Sequence, residues 1–339
     1  MSRSQPTRPP TIYDISEAAG VAASTVSKVL GSRSAAYAIS EATRARILTV
    51  AQELGYATDP SQRPRRKRRS GVIGVIYGTA LPLNHPVYEP IADRLGAAMA
   101  AAGYRMQFLP AASWVEVREH LATYAMDGVL LVPYLPPGEP EAKEALNLPM
   151  VVFNDQCSLP IPQVVSDDAR GVELAIDHLV ALGHRRIVYG DIADRPRHHG
   201  SEIVRRDAYR AAMAAKGLEA ADWCDQPAAV WERARSAGAT ALLTYNNQLA
   251  LDLLPVLRQR GVRIPEDLSL VSGTDVRVGS LVEPGLTAVS VPMEAMADRA
   301  CQELFALLQG QVSAGPRTII IPPRLVVRGS SGAPEKLPA

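Results

Sequence analysis

Apolar residues recur every three to four positions through TIYDISEAAGVAASTVSKVL, residues 11–30, and that period predicts helix. Thr11 followed by Asp14 reads as an N-cap with a carboxylate that reaches back. Ile15, Ala18 and Ala19 fall on one inward face. Gly20 stands where the helix must close on a positive φ. Val21, Val26, Val29 and Leu30 form a second stripe, leaving Ser24, Thr25, Ser27 and Lys28 outward. Two short helices around a glycine turn have the form of a helix-turn-helix, or of a plain αα-hairpin. A third helix is predicted from an N-cap at Ser40, with Ala45, Leu48, Ala51 and Leu54 inward and Gly55 as its stop.

The pattern changes at residue 72. Short apolar runs at 72–77, 105–109, 128–134, 150–153, 186–189, 241–245, 268–271 and 288–291 predict strands. Helical periods at 90–102, 171–182, 206–216, 248–260 and 294–308 lie between most of them. Such alternation predicts parallel sheets covered on both faces. Some 250 residues exceed one open sheet, so two α/β lobes are expected, with a ligand in the cleft beyond the strand ends. No long internal repeat is visible in the sequence. The organisation read from the chain is a disordered tail (1–10), a three-helix head (11–57), a linker (58–71), a two-lobed core (72–329) and a second disordered tail (330–339).

Charge separates these parts. Residues 1–70 hold twelve Lys/Arg and five Asp/Glu, a net +7, in a chain whose total is +1, which leaves residues 71–339 at −6. A basic head on an acidic body points to a polyanionic partner. Six of the seven residues from Arg63 to Arg69 are basic, Pro64 being the exception. This segment buries no face and reads as linker, suited to phosphates or a minor groove.

Other classes find little support. No apolar run approaches the roughly 20 residues that span a bilayer, and MSRSQPTRPPT lacks the apolar stretch of a secretory signal. Cys157, Cys224 and Cys301 match no metal spacing and fit reduced thiols in the cytoplasm. Neither a phosphate-binding loop nor a nucleophile elbow is present, so no enzyme, cofactor or metal is expected. His184 reads as structural, His198 and His199 as loop residues, and Asp167–Asp168 as a helix cap.

At this point the chain resembles the lac repressor (LacI/GalR) family of transcriptional regulators. The likeness runs from Thr11 to about Ser330, through TIYDISEAAGVAASTVSKVL, ISEATRARILTVAQELGY, GVIGVI, GVELAIDHLVALGHRRI, YNNQLALDLLPVLRQRGVRIPEDLSLV and PGLTAVSVPMEAMADRA. It implies a periplasmic-binding-protein-like core, a homodimer on a palindromic operator, and a small-molecule effector, sugar-like or anionic, between the lobes. The expected function is a cytoplasmic, effector-controlled repressor; the alternatives are a solute receptor without a gene-regulatory role, or an α/β enzyme.

The resemblance also implies site residues. Ala23, Ser24 and Lys28 occupy the base-reading positions: a methyl for thymine, a weakly discriminating hydroxyl and a cation that reaches guanine acceptors. Thr11, Tyr13, Thr25 and Ser27 match positions that hold phosphates or brace the head, and Tyr13 is equally a core candidate. For the effector the matches are Asn84, Tyr88, Asn154, Arg205, Asn246 and Asp275. Tyr134, Trp223 and Tyr245 are candidates to stack on a ring, or plain core.

Departures from the family pattern are specific. Ala22 is the N-cap of the second helix where Ser is usual, and the loop over 31–39 is about three residues longer. Asn154, Asn247 and Thr274 stand where acids are common. Family members form a hinge helix with a wedging leucine in the linker; here Arg65 takes that position, and Pro64 opposes a helix. Arg65, Arg66, Arg68 and Arg69 are read as following the minor groove or phosphates instead.

Overall fold

The computed structural model of the protein describes residues 12–30, 39–54, 70–79, 89–132, 148–191, 199–312 and 315–334. It divides into two compact units, 1–69 and 70–339.

In the first unit α1 (Ile12–Ala19), α2 (Ala23–Leu30) and α3 (Glu41–Glu53) enclose Ile15, Ala19, Val26, Val29, Leu30, Ile47 and Ala51. Gly20 has φ +63°. The N–H of Val21 returns to the Ser16 carbonyl at 3.1 Å, and Ser16 Oγ donates to the Val21 carbonyl at 2.6 Å. Ser40 accepts the Thr43 N–H at 3.3 Å as the N-cap of α3. The inward faces need correction: Ala18, Ala45, Leu48 and Leu54 are exposed, while Ile47 is fully buried. Helix α3 offers two apolar stripes about 100° apart, and so small a head has the partners to cover only one.

The second unit holds two six-stranded sheets. Lobe 1 orders its strands β11-β5-β4-β3-β1-β2, all parallel: β1 (Val72–Gly78), β2 (Arg105–Ala111), β3 (Gly128–Val132), β4 (Met150–Phe153), β5 (Pro162–Ser166) and β11 (Arg317–Ile321). Lobe 2 orders its strands β12-β10-β9-β8-β6-β7, from β6 (Ile187–Asp191), β7 (Ala221–Cys224), β8 (Ala241–Thr244), β9 (Ser269–Ser272), β10 (Thr287–Ser290) and β12 (Arg324–Val326). Here β12 runs antiparallel to β10, a departure from the purely parallel expectation. The two lobes share one winding order, a repeat of topology that leaves no trace in the residues.

Alternate residues along each strand face opposite helix layers, as the pleat requires. In lobe 1, Leu130 meets α4 (Glu89–Ala101) and α10 (Met293–Leu308), whereas Val129 and Leu131 meet α5 (Trp114–Thr123). In lobe 2, Tyr189 and Leu243 pack under α6 (Asp168–Ala181) and α7 (Gly200–Ala215). Val188 and Leu242 pack under α8 (Pro227–Ser236) and α9 (Asn247–Gln259).

The chain passes between lobes three times: from β5 to α6, from β10 to α10 through 291–292, and from β11 to β12 through 322–323. The last two strands lie beyond the predicted runs; each is short and sits at the edge of its sheet.

Residues 330–334, read from the sequence as part of a disordered tail, are bound to lobe 2. Ser330 is fully buried; it donates its N–H to the Gly285 carbonyl at 3.0 Å and accepts the Leu270 N–H at 2.8 Å. His184, also buried, contacts Thr240 Oγ1 at 2.9 Å, Ser269 Oγ at 3.0 Å and the Gly332 carbonyl at 2.9 Å. Polarity and proline suggested a solvated end; these hydrogen bonds satisfy the segment in place.

Candidate functional site

Helix α2 presents a polar face. Ser24 and Lys28 are exposed, and Ala23 and Thr25 are half-buried at the same helix. Tyr13, on α1, is 70% exposed and therefore not core. Ala22 opens α2 through its carbonyl alone, which accepts from Thr25 at 2.8 Å and Val26 at 3.2 Å. An exposed hydroxyl and an ammonium group therefore stand one turn apart on the outer face of the second helix. The Ser27 side chain, Thr11, Arg65, Arg66, Arg68, Arg69, Asn84, Tyr88 and Tyr134 lie outside the described residues.

The two lobes are latched together at one edge of their cleft. Asn154 follows β4 in the left-handed region, with φ +63°, a conformation asparagine tolerates better than most residues. Its carbonyl accepts from His199 Nε2 at 2.5 Å. The Nδ1 of the same ring is 2.7 Å from Ser201 Oγ, which lies 3.0 Å from the Tyr245 hydroxyl. With Nε2 committed as donor, Nδ1 accepts from Ser201, and Ser201 in turn accepts from Tyr245. Beside this chain Asp155, 7% exposed, takes the Gly200 N–H on Oδ1 at 3.1 Å and lies 3.9 Å from His199 Nε2. Burial pushes the Asp155 carboxyl above the usual carboxylate range, against the opposing pull of His199. His199 is thus the N-cap of α7 and an interlobe contact, correcting its assignment as a loop residue.

One turn further along α7, Arg205 is buried under the same cleft. Its Nε and Nη2 both donate to Asp168 Oδ1, at 2.8 and 2.6 Å. Nη1 donates to the carbonyls of Tyr245 at 2.9 Å and Gly273 at 3.2 Å, and the guanidinium lies 5.2 Å from the Tyr245 ring centroid. Tyr209 fixes the helix by donating to the Ile187 carbonyl at 2.8 Å and accepting the Ala221 N–H at 2.9 Å. Arg206 instead leans toward Asp191 and Asp222, at 3.8 and 3.9 Å.

The other candidates separate. Asp275 lines a cavity of about 830 Å³ beside the crossovers, together with Arg94, Thr274, Met293 and Arg328. Its carboxylate is held by Arg328 at 2.8 and 2.9 Å. Asn246 caps α9, accepting the Leu249 N–H at 3.2 Å. Asn247 and Thr274 bond each other, Thr274 Oγ1 accepting the Asn247 N–H at 2.9 Å. Trp223 packs on the α8–α9 side of the sheet, opposite Tyr189 and Tyr245. Sequence reasoning missed Asp155, Asp168 and Ser201, whose roles arise from pairings across 45, 37 and 44 positions of chain; Asp167, the true N-cap of α6, hid Asp168.

Fold and site together define a helix-turn-helix transcriptional regulator with a two-lobed, binding-protein-like core. Residues 11–59 match the family described as bacterial regulatory proteins, lacI family, and residues 176–331 match the periplasmic binding protein-like domain. The chain is 26% identical to the HTH-type transcriptional regulator DegA of Bacillus subtilis, over 95% of this chain and 98% of that protein. It is also 26% identical to the lactose operon repressor of Escherichia coli, over 96% and 92%. A solved complex of the transcriptional regulator CelR with cellobiose superposes with a TM-score of 0.67 at 26% identity, covering 95% of this chain and all of that one. The head thus carries the helix-turn-helix of the lacI family, residues 176–331 match the binding-protein-like domain, and the relatives aligned along nearly the whole chain are regulators of transcription. Among the described residues no helix is long and apolar enough to cross a membrane, and no group of His, Cys, Asp and Glu is arranged for a metal.

Proposed function

We propose that the protein is a cytoplasmic repressor that binds a palindromic operator as a homodimer and releases or grips it according to a small molecule in the interlobe cleft. The observation that carries this is the interlobe latch around Asp155, His199 and Ser201. A two-lobed receptor with a breakable contact across its cleft has two arrangements, and a ligand with different affinity for each shifts their populations.

In this reading Ala23, Ser24 and Lys28 meet bases, while Thr11, Tyr13, Thr25, Ser27 and the arginines at 65, 66, 68 and 69 meet phosphates or the minor groove. Exposed Phe108 on the edge strand β2, with Val278 and Leu281 on lobe 2, supplies apolar surface for a second copy. The effector is a neutral, hydroxyl-rich molecule of carbohydrate type rather than an anion: Arg205 is already neutralised by Asp168, and Asp275 by Arg328. Asn154, Arg205, Tyr245, Asn246 and Asp275 border its site, with Asn84, Tyr88 and Tyr134. No step of this function needs catalysis or a cofactor.

Selection of bound duplexes from a random pool with the full chain, repeated with a panel of neutral and acidic sugars, tests the reading. A palindromic consensus whose retention changes with a neutral sugar is the expected result. Equal binding to all duplexes, or loss of residues 1–70 without effect on binding, overturns it.

A further inference from the structure

A small cavity of about 10 Å³ lies beside the crossovers, lined by Ser166 at the end of β5, Val289 in β10, Pro323 between β11 and β12, and by Tyr189, Asp168 and Arg205. Two of the lining residues carry hydroxyls, Ser166 Oγ and Tyr189 Oη, that are buried and have no hydrogen-bond partner among the described residues. Buried hydroxyls in that condition are rare, because desolvation is not offset. Burial raises the Tyr189 phenol well above its ordinary pKa, so it remains a donor. Asp168 takes both Arg205 bonds on Oδ1 and, as a carboxylate with about four lone-pair sites, keeps acceptor capacity.

We propose that this cavity is a binding site for one structural water molecule, held by Ser166, Tyr189 and the Asp168–Arg205 pair at the hinge between the lobes. The size matches: a water needs about 10–15 Å³ of such space and two to four polar partners, whereas a sugar hydroxyl with its carbon does not fit. The water solvates the hinge from inside, so that the crossovers can swing without stranding either hydroxyl. The inference concerns the hinge alone and stands whatever ligand the cleft takes.

Crystals of the full chain without added ligand, together with melting temperatures of Tyr189→Phe, Ser166→Ala and the double variant, test it. Both substitutions shrink a polar group without adding volume. The expected result is a density peak within hydrogen-bond distance of both hydroxyls, absent in the double variant. Each single variant melts at a lower temperature, and the double variant loses less than the sum because both act through one water. A dry cavity predicts the opposite sign for Tyr189→Phe, since removing an unpaired buried hydroxyl stabilises. An unchanged or raised melting temperature, additive losses, or hydroxyls turned onto protein acceptors with no density between them overturns the proposal.

Discussion

Gly200, the first residue of α7 in lobe 2, donates its N–H to the carboxylate of Asp155 in lobe 1. A Cβ built on Gly200 would stand 2.9 Å from Asp155 Oδ1, so only a residue without a side chain allows the approach. This close approach ties the start of α7 to the residues that follow β4.

Gly200→Ala pushes the Asp155 carboxylate aside and loosens the latch with little cost in global stability, since the clashing atom ends a side chain. Amide hydrogen exchange checks this: faster exchange at residues 200–202 with a melting temperature within about 2 °C of the parent. Unchanged exchange would show that the lobes are held elsewhere.

Gly273→Ala behaves differently. Its Cβ would lie 2.2 Å from the Tyr245 carbonyl oxygen and 2.6 Å from that of Thr244, both backbone atoms in the sheet region. Overpacking of that kind costs about 1–3 kcal/mol or more. Denaturant unfolding should report it, with the Arg205 acceptors displaced in the same variant.

The Asp155 carboxyl is raised in the folded protein, first by burial, with His199 opposing and Asp168 adding. The folded state therefore binds a proton more readily than the unfolded chain. Asp155 contributes its full stability below the unfolded carboxylate value near 3.9, and that contribution is lost as pH rises through the folded pKa. Asp155→Asn keeps an acceptor for Gly200 without the charge. Comparing melting temperatures from pH 4 to 8, the variant should gain on the parent as pH rises; parallel curves would remove Asp155 as a strained anion.

Lys28→Ala should weaken operator binding by about 1–3 kcal/mol and relax preference at one base pair. Binding measured on a set of single-base operator variants separates this from a phosphate contact, which would weaken every sequence alike.

Arg66→Ala should lower affinity for all duplexes and flatten the dependence of log K on log salt by about one unit for each phosphate no longer neutralised. Titration across a fivefold range of salt is sufficient. An unaltered slope places the arm away from the DNA.

The head illustrates how far periodicity reaches. Gly20, Ser40 and the stripe of Val26, Val29 and Leu30 are local signals, and each does in the fold what its position announces. Ile47 against Leu48 is not local: both are apolar, and only the arrival of α1 and α2 selects between them. The core strands 72–77 and 241–245 were legible because burial on both faces makes them continuously apolar, whereas β7 and β12 sit at sheet edges, where pattern is weak.

Residue sequence by itself determined the element types, the two-lobed α/β architecture and the charge division between head and body, because helix caps, strand hydrophobicity and charge act over a few neighbours. Only the tertiary structure decided that Arg205 faces Asp168, that Asp155 reaches Gly200, that Ser330 is tied to Leu270, and that Gly332 meets His184. Those pairings join residues distant in the chain, and a side chain's partner is set by what packing and desolvation bring against it, which no local pattern encodes.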